Sequence, residues 1–102
     1  MKSIKLEERL DLGKLVTFIP NKNLPIYNWF YFKEGFSRDF VMLMLDWFKL
    51  KRGDWVLDPF CGVGTTLLAC KERGVNCIGI DISPLAYFVT KVKIRDYNIE
   101  KL

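Results

Sequence analysis

The sequence predicts an α/β domain whose centre is a parallel βαβα unit. Two short apolar runs, residues 55–57 and 75–81, each precede a longer segment with helical spacing of its apolar residues. The first run is wholly apolar, which is typical of a strand in the middle of a parallel sheet. Because a helix connects the two strands, the crossover should be right-handed. The length of 102 residues allows one domain at most.

The amino-terminal third predicts less regular structure. Residues 1–12 mix charges with isolated apolar residues, which is typical of a short helix or an irregular arm. Residues 14–19, KLVTFI, are rich in β-branched and aromatic side chains and predict a short strand. Residues 20–29 are dense in proline and asparagine and predict an ordered loop that lies across the core.

Three helices are predicted from their terminal signals. Ser37 is a suitable N-cap for residues 38–50, whose many apolar residues predict a helix that is covered on most sides. A second helix over residues 64–73 should end at Gly74 in the left-handed conformation. Ser83, followed by proline, should begin the third helix. Its inward stripe should contain Leu85, Phe88, Val89 and Val92.

Composition excludes several classes of function. The chain has no histidine, which removes Ser-His-Asp and Cys-His catalysis and most catalytic zinc sites. Its three cysteines have no CxxC spacing, so we expect no metal site and reduced thiols in the cytoplasm. No apolar stretch is long enough to span a bilayer, so we expect no membrane partner. The net charge of +4 is compatible with nucleic acid but is not diagnostic.

A glycine loop, LDPFCGVGTT at residues 57–66, joins the first strand to its helix. Gly62 and Gly64 allow a tight turn and close approach of a ligand to the backbone, beside the free N–H groups of a helix start. A dinucleotide site would need GxGxxG, and GVGTTL lacks the third glycine.

Two aspartates indicate what the glycine loop binds. Asp58 would repel a pyrophosphate by about 4 kcal/mol at ~4 Å and an effective dielectric constant of about 20. It would instead attract a ligand with an ammonium group, such as S-adenosylmethionine. Asp81 lies 23 residues later, where an acid typically accepts hydrogen bonds from ribose hydroxyls, and Ile82 would pack on the adenine. Alternatively, each aspartate only caps a local turn.

These motifs resemble those of one enzyme family, the DNA methyltransferases that modify N6 of adenine or N4 of cytosine. VLDPFCGVGTT resembles their cofactor-binding motif, and VNCIGIDISPLA resembles the strand that carries the ribose-binding acid. FYFKEGFSRDFVMLMLDWF is similar to the segment that precedes the glycine motif. The resemblance implies a partial Rossmann-like methyltransferase fold. Residues 1–35 would form an arm and loop, and residues 36–102 the cofactor-binding βαβα region with its preceding helix.

The resemblance also implies roles for individual residues toward S-adenosyl-L-methionine. The methionine part would be held by Asp58 and the loop backbone, the ribose by Asp81 and the adenine by Ile82. Core packing is the alternative for two aromatic residues, Tyr31 and Phe36, and the thiol of Cys61 has no expected role. The implied cofactor-binding residues are Tyr31, Phe36, Ser37, Asp58, Phe60, Cys61, Gly62, Gly64, Thr65, Thr66, Asp81 and Ile82.

The family's catalytic motif, (Asp/Asn/Ser)-Pro-Pro-(Tyr/Phe/Trp), is not found in these 102 residues. The closest candidate, residues 23–27, has suitable residue types at the wrong spacing. We therefore expect a truncated or split enzyme that acts on DNA when complete, with a second chain or self-association completing the sheet. The alternatives are part of an RNA (transfer-RNA guanine) methyltransferase, or a non-catalytic remnant that binds cofactor or protein.

Overall fold

The computed structural model describes residues 6–30, 32 and 35–96. Two strands pair in parallel, with Trp55 opposite Asn76 and Asp58 opposite Gly79. The α/β class and the βαβα order are confirmed. The elements are 3₁₀ helices Leu10–Leu12, Ile19–Asn23 and Tyr27–Trp29, then α1 (Arg38–Trp47), β1 (Trp55–Asp58), α2 (Thr65–Arg73), β2 (Asn76–Gly79) and α3 (Pro84–Ile94).

The predicted helix caps are confirmed. The Ser37 side chain accepts a hydrogen bond from the Phe40 N–H at 3.1 Å, which satisfies one of the free donors at the start of α1. The Ser83 hydroxyl does the same for the Ala86 N–H at the start of α3. Gly74 has φ +70° and ends α2 in the left-handed conformation.

Helix α1 ends at Trp47, earlier than the predicted residue 50. The reason is a left-handed cap at Lys49, which has φ +56°. The Leu50 N–H donates to the carbonyl of Leu45 at 2.9 Å, and the Lys49 N–H donates to that of Asp46 at 3.0 Å. This hydrogen-bond pattern is the Schellman motif, in which glycine is the usual left-handed residue.

Replacing Lys49 by glycine should therefore raise the free energy of unfolding by about 0.5–1 kcal/mol. Glycine removes the steric cost of the left-handed conformation, and the greater entropy of the unfolded chain offsets part of the gain. Urea unfolding measures the difference. The matched control is Lys51→Gly, which has no such strain to relieve and should destabilise the chain or leave it unchanged.

The predicted strand at residues 14–19 is wrong. These residues form turns and enter the 3₁₀ helix Ile19–Asn23. Thr17 bonds to the carbonyl of Lys14 with both its N–H and its hydroxyl. The carbonyl of Leu15 accepts from the N–H and the hydroxyl of Ser37, so it is used to hold the arm against α1. Local bonds and a helix cap therefore replace a strand ladder.

The loop over residues 20–29 is ordered, as predicted, and a buried asparagine attaches it to α1. Asn21 donates to the Phe36 carbonyl at 3.0 Å and accepts from the Arg38 N–H at 2.8 Å. Tyr27 is buried, whereas Trp29 is largely exposed. One core cluster lies between α1, α2 and the sheet, and a second joins the arm to α3 through Phe18, Val63 and Val89.

Three predictions of burial are wrong. In β1, Trp55 and Leu57 are 67% and 61% exposed, so the strand is not covered on both faces. In α3, Val89 is buried but Leu85 and Phe88 are largely exposed, and α1 leaves Trp47 exposed. The described residues place helices against one face of the two-stranded sheet, and the other face has no covering layer.

Candidate functional site

The candidate site lies where the two strands end and the chain turns toward its helices. The Ile80 N–H donates to the carbonyl of Asp58, and the Cys61 N–H donates to the carbonyl of Ile80, both at 2.9 Å. These bonds continue the pairing beyond the strands. They hold the first half of the glycine loop against the segment that follows β2.

Both loop glycines have a backbone that L residues rarely adopt, with φ +52° at Gly62 and +85° at Gly64. A Cβ at Gly62 would lie 3.0 Å from the Phe32 ring, and one at Gly64 would lie 2.7 Å from Thr90 Cγ2. Glycine is therefore required by conformation and by space. The close neighbours are side chains of this chain.

Asp81 hydrogen-bonds to two different parts of the site. Its Oδ2 accepts from the Gly62 N–H at 2.9 Å, and its Oδ1 accepts from the Ser83 N–H at 2.8 Å. The second bond is the local turn that we considered as the alternative role. The first bond ties the glycine loop to the end of β2 across 19 residues.

Asp58 has one satisfied oxygen and one that is not. Its Oδ1 accepts from the Phe60 N–H at 3.1 Å, which caps the turn. Its Oδ2 is buried and has no hydrogen-bond partner among the described residues. An unsatisfied buried acceptor costs about 1–3 kcal/mol, more when it is charged, so this oxygen is suited to a donor from outside the described residues.

The Cys61 thiol lies close to both carboxylates. Burial raises the pKa of this thiol, and the charges of Asp58 and Asp81 raise it further. The thiol therefore stays protonated and is not an activated nucleophile. Hydrogen bonds from the N–H groups of Phe60 and Gly62, on either side of Cys61, to Asp58 and Asp81 bring the two carboxylates to the same part of the loop.

The structure gathers some of the predicted site residues and separates others. Thr66 lines an apolar cavity between α1 and β1. The side chain of Ile82 is 99% exposed. Ser37 is fully buried, with its hydroxyl committed to the Leu15 carbonyl and the Phe40 N–H. Tyr31 lies outside the described residues. A small cleft of about 40 Å³ is lined by Phe36, Phe60, Cys61, Gly62 and Thr65, together with Phe32, Gly35 and Val63.

Sequence reasoning missed two residues that contact the glycine loop. Phe32 packs over Gly62, and the Thr90 hydroxyl donates to the carbonyl of Gly62 at 2.9 Å. A polar residue directly after Val89 on the buried side of α3 was a signal for Thr90. No signal distinguished Phe32 from its aromatic neighbours.

Within residues 6–30, 32 and 35–96, no group of three or more Cys, Asp or Glu side chains could hold a metal ion. None of the helices described there has the length and apolar character needed to cross a membrane.

Comparison with known proteins decides the family. The family model for N6/N4 DNA methylases matches residues 21–91, which is more than half of the chain. This chain belongs to the DNA methylase family. It is 48% identical, over 91 residues, to the type II methyltransferase M.BsoBI of Geobacillus stearothermophilus, covering 87% of this chain and 18% of that enzyme.

A second DNA methylase and a transfer-RNA enzyme have lower sequence identity to this chain. The type II methyltransferase M.AvaI of Nostoc is 38% identical over 90 residues, covering 88% of this chain and 18% of that enzyme. The tRNA (guanine(10)-N2)-dimethyltransferase of Methanothermobacter thermautotrophicus is 31% identical over 70 residues, covering 69% and 21%. This methylase chain thus spans about a fifth, or less, of the length of these relatives.

A solved structure confirms the fold. It is a putative DNA modification methylase from Thermus thermophilus, crystallised with S-adenosyl-L-methionine. The TM-score is 0.55 at 22% identity, over 91% of this chain and 39% of that one. The partial methyltransferase fold predicted from the sequence is therefore confirmed for this DNA methylase chain.

Proposed function

We propose that this chain is the S-adenosylmethionine-binding portion of a DNA methyltransferase that modifies adenine N6 or cytosine N4. Membership of the DNA methylase family supports the reaction class. The high identity to a type II methyltransferase supports DNA as the substrate, above the weaker similarity to transfer-RNA enzymes. Residues 36–102 form the proposed cofactor region, and residues 1–35 the arm and loop.

The Asp58 Oδ2, which has no hydrogen-bond partner among the described residues, is the observation that carries this proposal. It is buried at the carboxyl end of β1, where ligands of open α/β sheets bind. The amino group of the cofactor's methionine part would supply the missing donor. When bound, the cofactor supplies an electrophilic methyl group on its sulfonium, and Asp58 holds and orients the end of the molecule beside that group.

Asp81 and Ile82 are the proposed ribose and adenine contacts. Each Asp81 oxygen accepts one backbone N–H, which leaves acceptor capacity for ribose hydroxyls. The exposed side chain of Ile82 is free to cover one face of an adenine. The loop backbone around Gly62 and Gly64 would lie against the methionine part.

Methyl transfer itself needs residues beyond these 102. The (Asp/Asn/Ser)-Pro-Pro-(Tyr/Phe/Trp) motif would hold the target amino group of a flipped base, and this sequence has none. The described residues leave the sheet face around Trp55 and Leu57 without a covering layer, which supports a completing segment or second chain at that position. A complete enzyme with DNA as substrate and free thiols would act in the cytoplasm.

Calorimetric titration with S-adenosylhomocysteine tests the cofactor role through Asp58→Asn. Asparagine keeps an oxygen for the Phe60 N–H but replaces the charged acceptor, so affinity should fall about 10- to 100-fold, the range for hydrogen bonds to charged groups. The matched control is Asp54→Asn, an exposed aspartate at the opposite end of β1, which should bind as the wild type does.

The proposal fails if the folded wild-type chain does not bind S-adenosylhomocysteine, or if Asp58→Asn binds it with unchanged affinity. Substitution of Asp81 is a less clear test. It would also release the N–H groups of Gly62 and Ser83, so lost binding would mix a structural effect with a lost ligand contact.

A further inference from the structure

Thr90 makes an unusual hydrogen bond for a threonine within a helix. It lies in α3 and is 6% exposed. Helical threonine hydroxyls commonly bond to the carbonyl of the preceding turn. The Thr90 hydroxyl instead donates to the carbonyl of Gly62, at 2.9 Å and 28 residues away. The side chain therefore joins α3 to the glycine loop.

Gly62 is held at both of its backbone polar groups. Its N–H donates to Asp81 and its carbonyl accepts from Thr90. The Phe32 ring lies beside its Cα, where a Cβ would come within 3.0 Å. A residue with positive φ is thus fixed from three directions.

Thr90 also occupies the space beside the second glycine. A Cβ on Gly64 would lie 2.7 Å from Thr90 Cγ2 and 2.9 Å from Thr90 Oγ1. The methyl group packs against Gly64 while the hydroxyl bonds to Gly62. One side chain therefore sets the position of both glycines at the start of α2.

We propose that Thr90 is a positioning residue that holds the glycine loop in its ligand-binding shape. It acts through the carbonyl of Gly62 and does not touch the ligand. The part of this inference that concerns ligand affinity rests on the proposed function. The part that concerns loop shape does not, so the two can be tested separately.

The first test is amide hydrogen exchange of the ligand-free chain with Thr90→Val. Valine keeps the size of the side chain and the packing against Gly64, but it cannot donate to Gly62. Exchange at the N–H groups of Gly62 and Gly64 should become about tenfold faster, the upper range for one lost hydrogen bond. Thr90→Ser keeps the donor but lacks the methyl group that packs against Gly64, so exchange at the Gly62 N–H should match the wild type.

The second test is titration of the same variants with S-adenosylhomocysteine. Thr90→Val should weaken binding about five- to tenfold, because the loop must be ordered on binding. Thr90→Ser should restore affinity to within about twofold of the wild type. In the hydrogen-exchange experiment, the N–H groups of α1, such as that of Leu45, serve as the control and should exchange at the wild-type rate in both variants.

Each outcome decides one part of the inference. Unchanged exchange at Gly62 and Gly64 in Thr90→Val, or an equal increase at α1, overturns the positioning role. Faster loop exchange with unchanged affinity overturns the link to binding and leaves the proposed function intact. If the wild-type chain does not bind, the proposed function is wrong, and the exchange experiment still decides whether Thr90 holds the loop.

Discussion

Gly64→Ala should lower the free energy of unfolding by about 3 kcal/mol, the largest loss that we expect from a single methyl group in this chain. The left-handed backbone at φ +85° costs an alanine about 1–2 kcal/mol. The new Cβ would also lie 2.7 Å from Thr90 Cγ2, and overpacking of this kind costs about 1–3 kcal/mol. Urea unfolding followed by circular dichroism measures the loss.

Gly53→Ala is the matched control for the backbone contribution. Gly53 has φ +92°, yet a Cβ there would meet nothing within 4 Å. Its loss should therefore be about 1–2 kcal/mol, from conformation alone. In a double-mutant cycle, the loss of unfolding free energy from Gly64→Ala should be about 1 kcal/mol smaller in the Thr90→Ala background than in the wild type. Equal losses for Gly53→Ala and Gly64→Ala would show that the contact with Thr90 carries no cost.

Lys93→Met should raise the free energy of unfolding by about 2 kcal/mol at pH 7. Lys93 is 2% exposed, and its amine donates to the Tyr27 carbonyl at 3.3 Å and lies 5.7 Å from the centre of the Phe18 ring. None of the ion pairs among the described residues includes it. Burial lowers the pKa of Lys93 from 10.5 to about 8. That shift corresponds to about 3 kcal/mol of destabilisation by the buried charge, which Lys93→Met removes. Loss of the hydrogen bond to Tyr27 offsets about 1 kcal/mol of this gain.

The pH dependence of stability gives an independent check. Below pH ~8 the amine is protonated in both the folded and the unfolded chain, and the folded chain bears the full cost of the buried charge. Between about pH 8 and 10.5 the unfolded chain binds more protons, so wild-type stability should rise with pH. The difference in free energy of unfolding between Lys93→Met and the wild type should therefore shrink over this pH interval.

Lys91→Met is the matched control on the same helix. Lys91 is exposed and lies over the Tyr87 ring, so its replacement should change the free energy of unfolding by less than about 0.5 kcal/mol. Destabilisation of the chain by Lys93→Met would show that the hydrogen bond to the Tyr27 carbonyl outweighs the cost of burying the amine.

Secondary structure was predictable where its cause is local. Ser37, Ser83 and Gly74 act within one turn of their own helices, and all three caps were predicted correctly. Residues 14–19 were predicted wrongly because the partner of Leu15 is Ser37, 22 residues away. A β-branched segment forms a strand only where another strand is available to pair with it.

The site was predictable in its residue types and not in its contacts. Spacing placed Asp58, Gly62, Gly64 and Asp81 at the ends of two parallel strands, and the structure brings them together. The sequence offered Asp81 as either a turn residue or a ligand contact. In the fold it makes a turn and also holds Gly62, and it keeps further acceptor capacity.

The family and the βαβα order follow from the sequence, because periodicity, caps and a glycine motif depend on residues close together in the chain. The sequence did not reveal the burial of Lys93 or the bond from Thr90 to Gly62. Nor did it reveal the buried Asp58 oxygen that no described residue pairs with. Each depends on how α3, the arm and the glycine loop pack against one another. Such packing joins residues tens of positions apart, and no local pattern records which of them meet.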